Sequence, residues 1–244
     1  AATWALRGVY FVGGVIGRVR GTHARLGIVP FGTANNIANT LGVRGSIRDL
    51  VRSYRDPRVV PFDIGVVRGP FGVRTFVESV GTGLVDRGIV TMDAEAPHAE
   101  QGDVPAMLKK ARARYGELLA TLPTQHLLLR TAGKVIEDDF VLVEVLNIRT
   151  IGPGLRLTGK VDSGDGWFDV VAVRAAEREQ LAAVIAAEPR ADAFTPAWTR
   201  LQVAEIELMG CDSVHIDDRA GIQVGNGALT LSVRPGAVDV LAPR

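Results

Sequence analysis

At 244 residues, 47% of them hydrophobic and 23% charged, the chain can bury a substantial core and fill one or two domains, which excludes a disordered or fibrous protein. A formal net charge of +1 supplies no overall field that would steer it to nucleic acid, and no nucleic-acid partner is expected. The single cysteine, Cys211, excludes an internal disulfide, fits a reducing compartment and is expected to be a buried structural thiol.

Residues 1–8 have helix-forming composition with Gly8 as a stop, as if the first half of a βα unit preceded them. The start at Ala1-Ala2-Thr3, without methionine, leads us to expect trimming or truncation there. Residues 9–26 mix apolar residues with glycine and arginine and predict a loop or irregular strand. Residues 26–43 read as a buried strand, a turn at Gly32 and a helix on which Ile37 and Leu41 share a face. A short helix follows over 47–54, then a turn at Asp56-Pro57. Strands over 59–67 and 73–80 flank Gly69-Pro70 and predict a hairpin. Residues 91–102 are acidic, contain proline and predict a loop. The pattern over 104–122 predicts a helix with Met107, Ala111, Tyr115, Leu118 and Leu119 inward and Lys109, Lys110, Arg112 and Arg114 outward; such a helix suits either a sheet cap or a membrane surface. From Gln125 the chain turns β, with HLLLRTA, VIEDDFVLVEVLNI, GLRLTG and WFDVVAVR, one helix over 177–187, and then QVAEIELMG, SVHID, GIQVG, ALTLSVR and VDVLAP. Short strands so closely spaced predict a sandwich or barrel. No run of about 18 apolar residues and no signal-peptide pattern occurs, so a soluble, cytoplasmic protein is expected, with peripheral membrane contact open to it.

Three stretches carry chemistry. In the first, Thr33 stands where an N-cap belongs and Asn36 follows three residues on, while Gly32 lets the chain turn sharply and leaves backbone N–H groups open to an anion. A phosphate fits such a turn, although many α/β domains bind nothing there. The run Pro30-Phe31-Gly32-Thr33-Ala34-Asn35-Asn36 resembles the P-L-G-T-x-N-D/N motif of the diacylglycerol kinase catalytic-domain family, which includes bacterial lipid kinases and sphingosine kinases. The resemblance implies that Gly32, Thr33, Asn35 and Asn36 lie at the phosphates of ATP. Residues 59–67 and 73–89 resemble the family's D-x-G and F-x-N-x-x-x-x-G strands, with Glu78 and Ser79 in place of small polar residues. Gly13-Gly14-Val15 is not the family's G-G-D-G-T phosphate motif, since it lacks the Asp and stands too close to Gly32. The nucleotide half is therefore expected to be largely missing, as in an N-terminally truncated member.

In the second stretch, 147–173, Asp162, Asp165 and the carbonyl of Trp167 cluster in a glycine-rich turn and offer hard oxygens suited to Mg²⁺ or Ca²⁺; an Asx-type turn between two strands is the other reading. The family resemblance implies a structural magnesium held by Asp162, Asp165 and the Trp167 main chain, with Gly159 and Lys160 where the family has Ala-Pro. The third stretch, 213–243, resembles the family's C-terminal run, in which the Glu of D-G-E is the general base. Here the triplet is Asp217-Asp218-Arg219. Arginine cannot be a base. Asp217 matches the family's Asp, and Asp218 could serve only in a rearranged turn; both could equally form a polar turn. His23, His98, His126 and His215 show no metal spacing, and His215 reads as a strand residue.

The expected architecture is α/β plus all-β: a partial Rossmann-like nucleotide domain over 1–61, a β-sandwich-like second domain over 62–235, and a final strand over 236–244 that returns to the first. The resemblance implies an ATP- and Mg²⁺-dependent lipid kinase acting on a hydroxyl such as that of diacylglycerol. The alternatives are a catalytically impaired homologue that binds nucleotide or lipid without turnover, and an NAD kinase-like enzyme, against which the form of the 30–36 and 165–171 motifs argues. Whether the chain is itself an enzyme turns on the missing glycine motif and on Arg219.

Overall fold

The computed structural model describes residues 2–5, 15, 24–95, 103–159, 161–187 and 198–243. The first strand, β1 (Ala2–Ala5), lies parallel to β2 (Arg25–Ile28). This overturns the helix expected over 1–8: the ladder offered by β2 outweighs a weak local propensity. Gly13-Gly14 and most of the irregular stretch lie outside the described residues. After β2 come α1 (Asn36–Thr40) and α2 (Ile47–Ser53). Ser46 caps α2 by accepting from the Asp49 N–H. Next are β3 (Arg58–Gly69) and β4 (Gly72–Phe76), paired as the expected hairpin, and β5 (Ser79–Gly83).

A helix that the sequence pattern did not reveal, α3 (Leu84–Glu95), follows β5 directly and takes up residues 91–95 of the expected loop; 96–102 lie outside the described residues. Its glycine and β-branched residues mask the helical period, but Gly88 lets it cross α4 (Val104–Thr121) closely. A Cβ at Gly88 would stand 2.4 Å from the buried Tyr115 ring. The remaining elements are β6 (Gln125–Arg130), β7 (Val135–Leu146), β8 (Phe168–Arg174), a 3₁₀ turn (Ala175–Glu177), α5 (Arg178–Ala186), β9 (Thr199–Val203), β10 (Glu205–Met209), β11 (Ser213–Ile216), β12 (Arg219–Gln223) and β13 (Ala228–Ala242). GLRLTG forms no strand; Leu155 makes only an isolated bridge to Ile151. QVAEIELMG divides at Ala204, whereas ALTLSVR and VDVLAP merge into β13.

Strand order along the main path is β1-β2-β13-β10-β6-β7-β5-β11-β12, with β3 and β4 branching from β13, and β8 and β9 from β7. The long strand β13 shifts register between Arg234 and Val238. Before the shift it pairs with β10, and beyond it Asp239–Leu241 pair parallel with β2, while β3 follows it through both halves. One strand thereby joins the α/β layer to a curled antiparallel sheet. The result is a mixed α/β molecule with a β-sandwich-like second part, as the sequence pattern implies.

Two cores follow from the faces of this sheet. Phe76, Val143, Val145, Phe168 and Leu231 fill the sandwich interior, with Phe76 and Phe168 stacked at 5.3 Å. Leu84, Tyr115, Leu142, Leu146 and Leu181 fill the space beneath the helices. β7 is buried on both faces from Phe140 onward, and an irregularity between Phe140 and Leu142 sends those two side chains into different cores. Cys211 is buried as expected, and burial pushes its thiol up to about 12. Among the described residues, no helix is long and apolar enough to cross a membrane.

Gly83, where β5 passes into α3, has φ +83°, and a Cβ there would stand 2.3 Å from the Val141 carbonyl oxygen. Strain and a backbone clash coincide. Gly83→Ala is expected to lower stability by about 3 kcal/mol or more, read from the midpoint of chemical denaturation.

Candidate active site

The strand-to-helix turn departs from its expected capping. Helix α1 starts at Asn36, and its N-cap is Asn35, held at φ 49° with no side-chain cap. Asn35 closes the turn itself: Gly32 N–H donates to its Oδ1 at 2.8 Å, and its Nδ2 donates to the Gly32 carbonyl at 2.6 Å. Thr33 is thus not the cap, and the Gly32 N–H is already used rather than open. An Asn tolerates the left-handed region that this turn needs, and its amide reproduces a backbone turn. Asn36 faces inward, donating through Nδ2 to Gly152 O at 3.2 Å, while its Oδ1 is buried without a partner.

A second loop meets the first. The bend at Val77 and Glu78, between β4 and β5, lies against the β11–β12 turn of Asp217 and Asp218. Asp217 takes φ 54°, and its Oδ1 accepts from the N–H groups of Val77 at 3.1 Å, Glu78 at 2.7 Å and Ser79 at 3.3 Å. Burial, opposed by those N–H groups and aided by Asp218, pushes Asp217 up to about 6. Arg219 opens β12 and its residue is exposed. Behind the turn, His215 donates through Nδ1 to the Asp217 carbonyl at 2.9 Å and through Nε2 to Glu144 at 2.9 Å, with His215 and Glu144 both buried. An imidazolium satisfies both contacts. Burial alone would lower the His215 pKa, but the Glu144 carboxylate and the Asp217 carbonyl outweigh it and hold it at about 9.

Glu78 is only 5% exposed, and its Oε1 has no hydrogen-bond partner. Burial first, then the charges of Asp217 and Asp218, drive its carboxyl well above the usual range, while the Asn36 side chain and His215 oppose the rise. Asn147 braces this bend: its N–H donates to Glu78 O at 2.9 Å, and its Nδ2 to the carbonyls of Val77 and Asp63. The turn of Gly32–Asn36, the Val77-Glu78 bend and the Asp217–Arg219 turn therefore converge.

The acidic turn forms a separate group. Asp162 accepts from Gly164 N–H at 3.1 Å and Asp165 from Trp167 N–H at 3.0 Å, the contacts of Asx turns. Asp63, fully buried, accepts from Gly166 N–H at 2.8 Å and Gly236 N–H at 2.7 Å, joining this turn to the register shift in β13. Burial raises the Asp63 pKa against those two N–H groups, and Asp165 and Asp162 raise it further. Burial and Asp165 likewise push Asp169 up to about 6, with Arg200 opposing. Among the described residues no three His, Cys, Asp or Glu side chains gather to hold a metal ion. Two carboxylates, a carbonyl and water nevertheless form a usual magnesium environment, and the excess negative charge of the turn suits a dication. Lys160 lies outside the described residues.

Sequence reasoning missed Asp63, Glu144, Asn147 and Arg149 as site residues. Arg149 donates to Asn39 O at 3.0 Å, and burial, followed by Arg156 and Arg44, lowers its pKa. Three guanidinium groups thus crowd beside α1. Glu144 carried a legible signal, a lone acid in the apolar second half of β7 (140–146), as did Asp63 in the D-x-G strand.

The diacylglycerol kinase catalytic domain matches residues 8–67, and the YegS C-terminal NAD kinase beta sandwich-like domain matches residues 89–242. The diacylglycerol kinase of Bacillus subtilis (strain 168) is 25% identical over 158 residues, 62% of this chain and 47% of that protein, so the match spans about half the length of that relative. A crystal structure of a diacylglycerol kinase from Bacillus anthracis str. Sterne superposes with TM-score 0.72 at 18% identity, covering 99% of this chain and 77% of that one. Yeast NADH kinase complexed with NADH superposes with TM-score 0.53 at 6% identity, covering 100% of this chain and 62% of that one. At such identities the superpositions establish the shared fold.

Proposed function

The chain belongs to the diacylglycerol kinase-like family, and from that premise we propose that it transfers the γ-phosphate of ATP to the hydroxyl of a lipid such as diacylglycerol. The observation that carries this reading is the convergence of Asn36, Glu78 and the Asp217–Arg219 turn, three segments distant in sequence that each resemble a family motif. Phosphoryl transfer depends on positioning and on neutralising charge rather than on a covalent intermediate. The Gly32–Asn36 turn would lie at the ATP phosphates, and the crowded guanidinium groups of Arg44, Arg149 and Arg156 favour an anion beside it. Asp162, Asp165 and the Trp167 carbonyl would hold Mg²⁺, which supplies positive charge against the acidic turn. The basic face of α4, with Lys109 and Lys110 exposed, leaves room for peripheral contact with a membrane that presents the lipid.

A second reading, binding without turnover, is favoured by Arg219, which stands where the family places its base. Incubation of the full native chain with labelled ATP, Mg²⁺ and a panel of diacylglycerol, monoacylglycerol, phosphatidylglycerol and sphingosine separates the two. We expect label in one lipid, lost on chelation of the metal. A folded protein that labels none of them overturns the kinase reading and leaves the binding one.

A further inference from the structure

We propose that Glu78 is the general base of this chain, in place of the glutamate that Arg219 displaces. The inference rests on the kinase reading above and deepens it. Its starting point is an accounting problem: Glu78 Oε1, Asn36 Oδ1 and Asn147 Oδ1 are all buried without partners. With Glu78 ionised, the form a base must take, all three are acceptors, and buried acceptors are normally satisfied. They belong to one neighbourhood, because the Asn36 side chain acts on Glu78 and the Asn147 N–H donates to the Glu78 carbonyl. What such a group lacks is a donor. An alcohol hydroxyl supplies one.

Position agrees with this chemistry. Glu78 is fixed from both sides, its N–H donating to Asp217 at 2.7 Å and its carbonyl accepting from Asn147 at 2.9 Å. Its carboxyl is acted on both by the Asn36 side chain of α1 and by Asp217 and Asp218 of the β11–β12 turn. Asp217 cannot readily take the role, since Oδ1 is occupied by three backbone N–H groups and Oδ2 accepts from Val77 N–H at 3.2 Å. In the step, the lipid hydroxyl oxygen bonds to the γ-phosphorus as the bond from phosphorus to the β–γ bridging oxygen breaks. ADP leaves with that electron pair, and the hydroxyl proton passes to Glu78. The charged groups facing Glu78 are Asp217 and Asp218, which favour its protonated form, and His215, which favours the carboxylate. A base must be ionised, so turnover should rise with pH through the titration of Glu78.

The test compares wild type and Glu78→Gln in the full native chain, with ATP, Mg²⁺ and mixed micelles containing diacylglycerol. We expect kcat to fall by about 10²–10⁴-fold with KM for ATP within about threefold, and the rising limb of the pH profile to disappear. Glu78→Asp should regain part of the rate and keep the limb. The thermal midpoint of Glu78→Gln should equal or exceed that of wild type, because the amide stays neutral beside Asp217 and Asp218 at every pH and its Nε2 brings a donor to the unpaired acceptors. A Glu78→Gln enzyme with wild-type kcat and pH profile overturns the inference alone. Loss of rate together with loss of thermal stability, without recovery in Glu78→Asp, overturns it in favour of a structural role. A folded wild type that labels no lipid overturns the kinase reading and this inference with it.

Discussion

Replacement of His215 by asparagine is expected to destabilise the protein by about 3–5 kcal/mol, among the largest effects of any single change in it. The Glu144 carboxylate, fully buried, would lose the cation bonded to it, and asparagine cannot span the distance covered by Nε2. The asparagine amide can still donate to the Asp217 carbonyl in place of Nδ1, so the loss falls on Glu144. Glu144→Gln in the same background should recover part of the loss, because it removes the uncompensated charge; denaturant titrations of the two single variants and the double variant measure this coupling. The pair also sets a pH dependence. His215 is held at about 9 in the fold against 6.5 when unfolded, so its contribution is complete below about pH 6.5 and is lost as pH rises through 9. The amount at stake is about 3 kcal/mol. Thermal midpoints of wild type measured from pH 6 to 10 should fall more steeply than those of His215→Asn.

Asp217→Ala is expected to cost about 3–4 kcal/mol and to abolish any phosphotransfer. The substitution leaves the N–H groups of Val77, Glu78 and Ser79 without their shared acceptor and places a residue that disfavours φ 54° in the left-handed region. Asp217→Asn separates the two causes. It tolerates the backbone and keeps one acceptor oxygen, so it should retain more than half of the lost stability. Both losses are read from chemical denaturation, with the lipid assay run in parallel. If Asp217→Ala proves as stable as wild type, the β11–β12 turn is not what holds the Val77-Glu78 bend.

These two residues also mark the limit of what a linear reading can reach. His215 reads as an ordinary strand residue and Asp217 as half of a polar turn, because nothing near either in sequence announces a partner. Glu144 lies 71 positions from His215, and the amides that bind Asp217 lie about 140 positions away. Glu78 is visible in the sequence only as an odd residue in a family-like strand. Its burial, its unpaired oxygen and its acidic neighbours exist only after β4, β5 and β11 are assembled. The capping of α1 misled for the opposite reason: Thr33 has the right chemistry two residues too early, and the side chain of Asn35 competes for the same backbone.

By itself the sequence determined the class of the fold, the hairpin of β3 and β4, the long helix α4, the short closely spaced strands and the ordered motifs that place the chain in its family. Those features depend on periodicity and on turn residues, which act within a few positions of themselves. Tertiary structure alone decided that β1 is a strand, that two apolar segments join into β13 across a shift in register, and that Asp63, Glu78, Glu144, Asn147 and His215 form connected networks. Those outcomes depend on ladders and hydrogen bonds between residues far apart in the chain, whose energy is set by burial and distance rather than by local pattern.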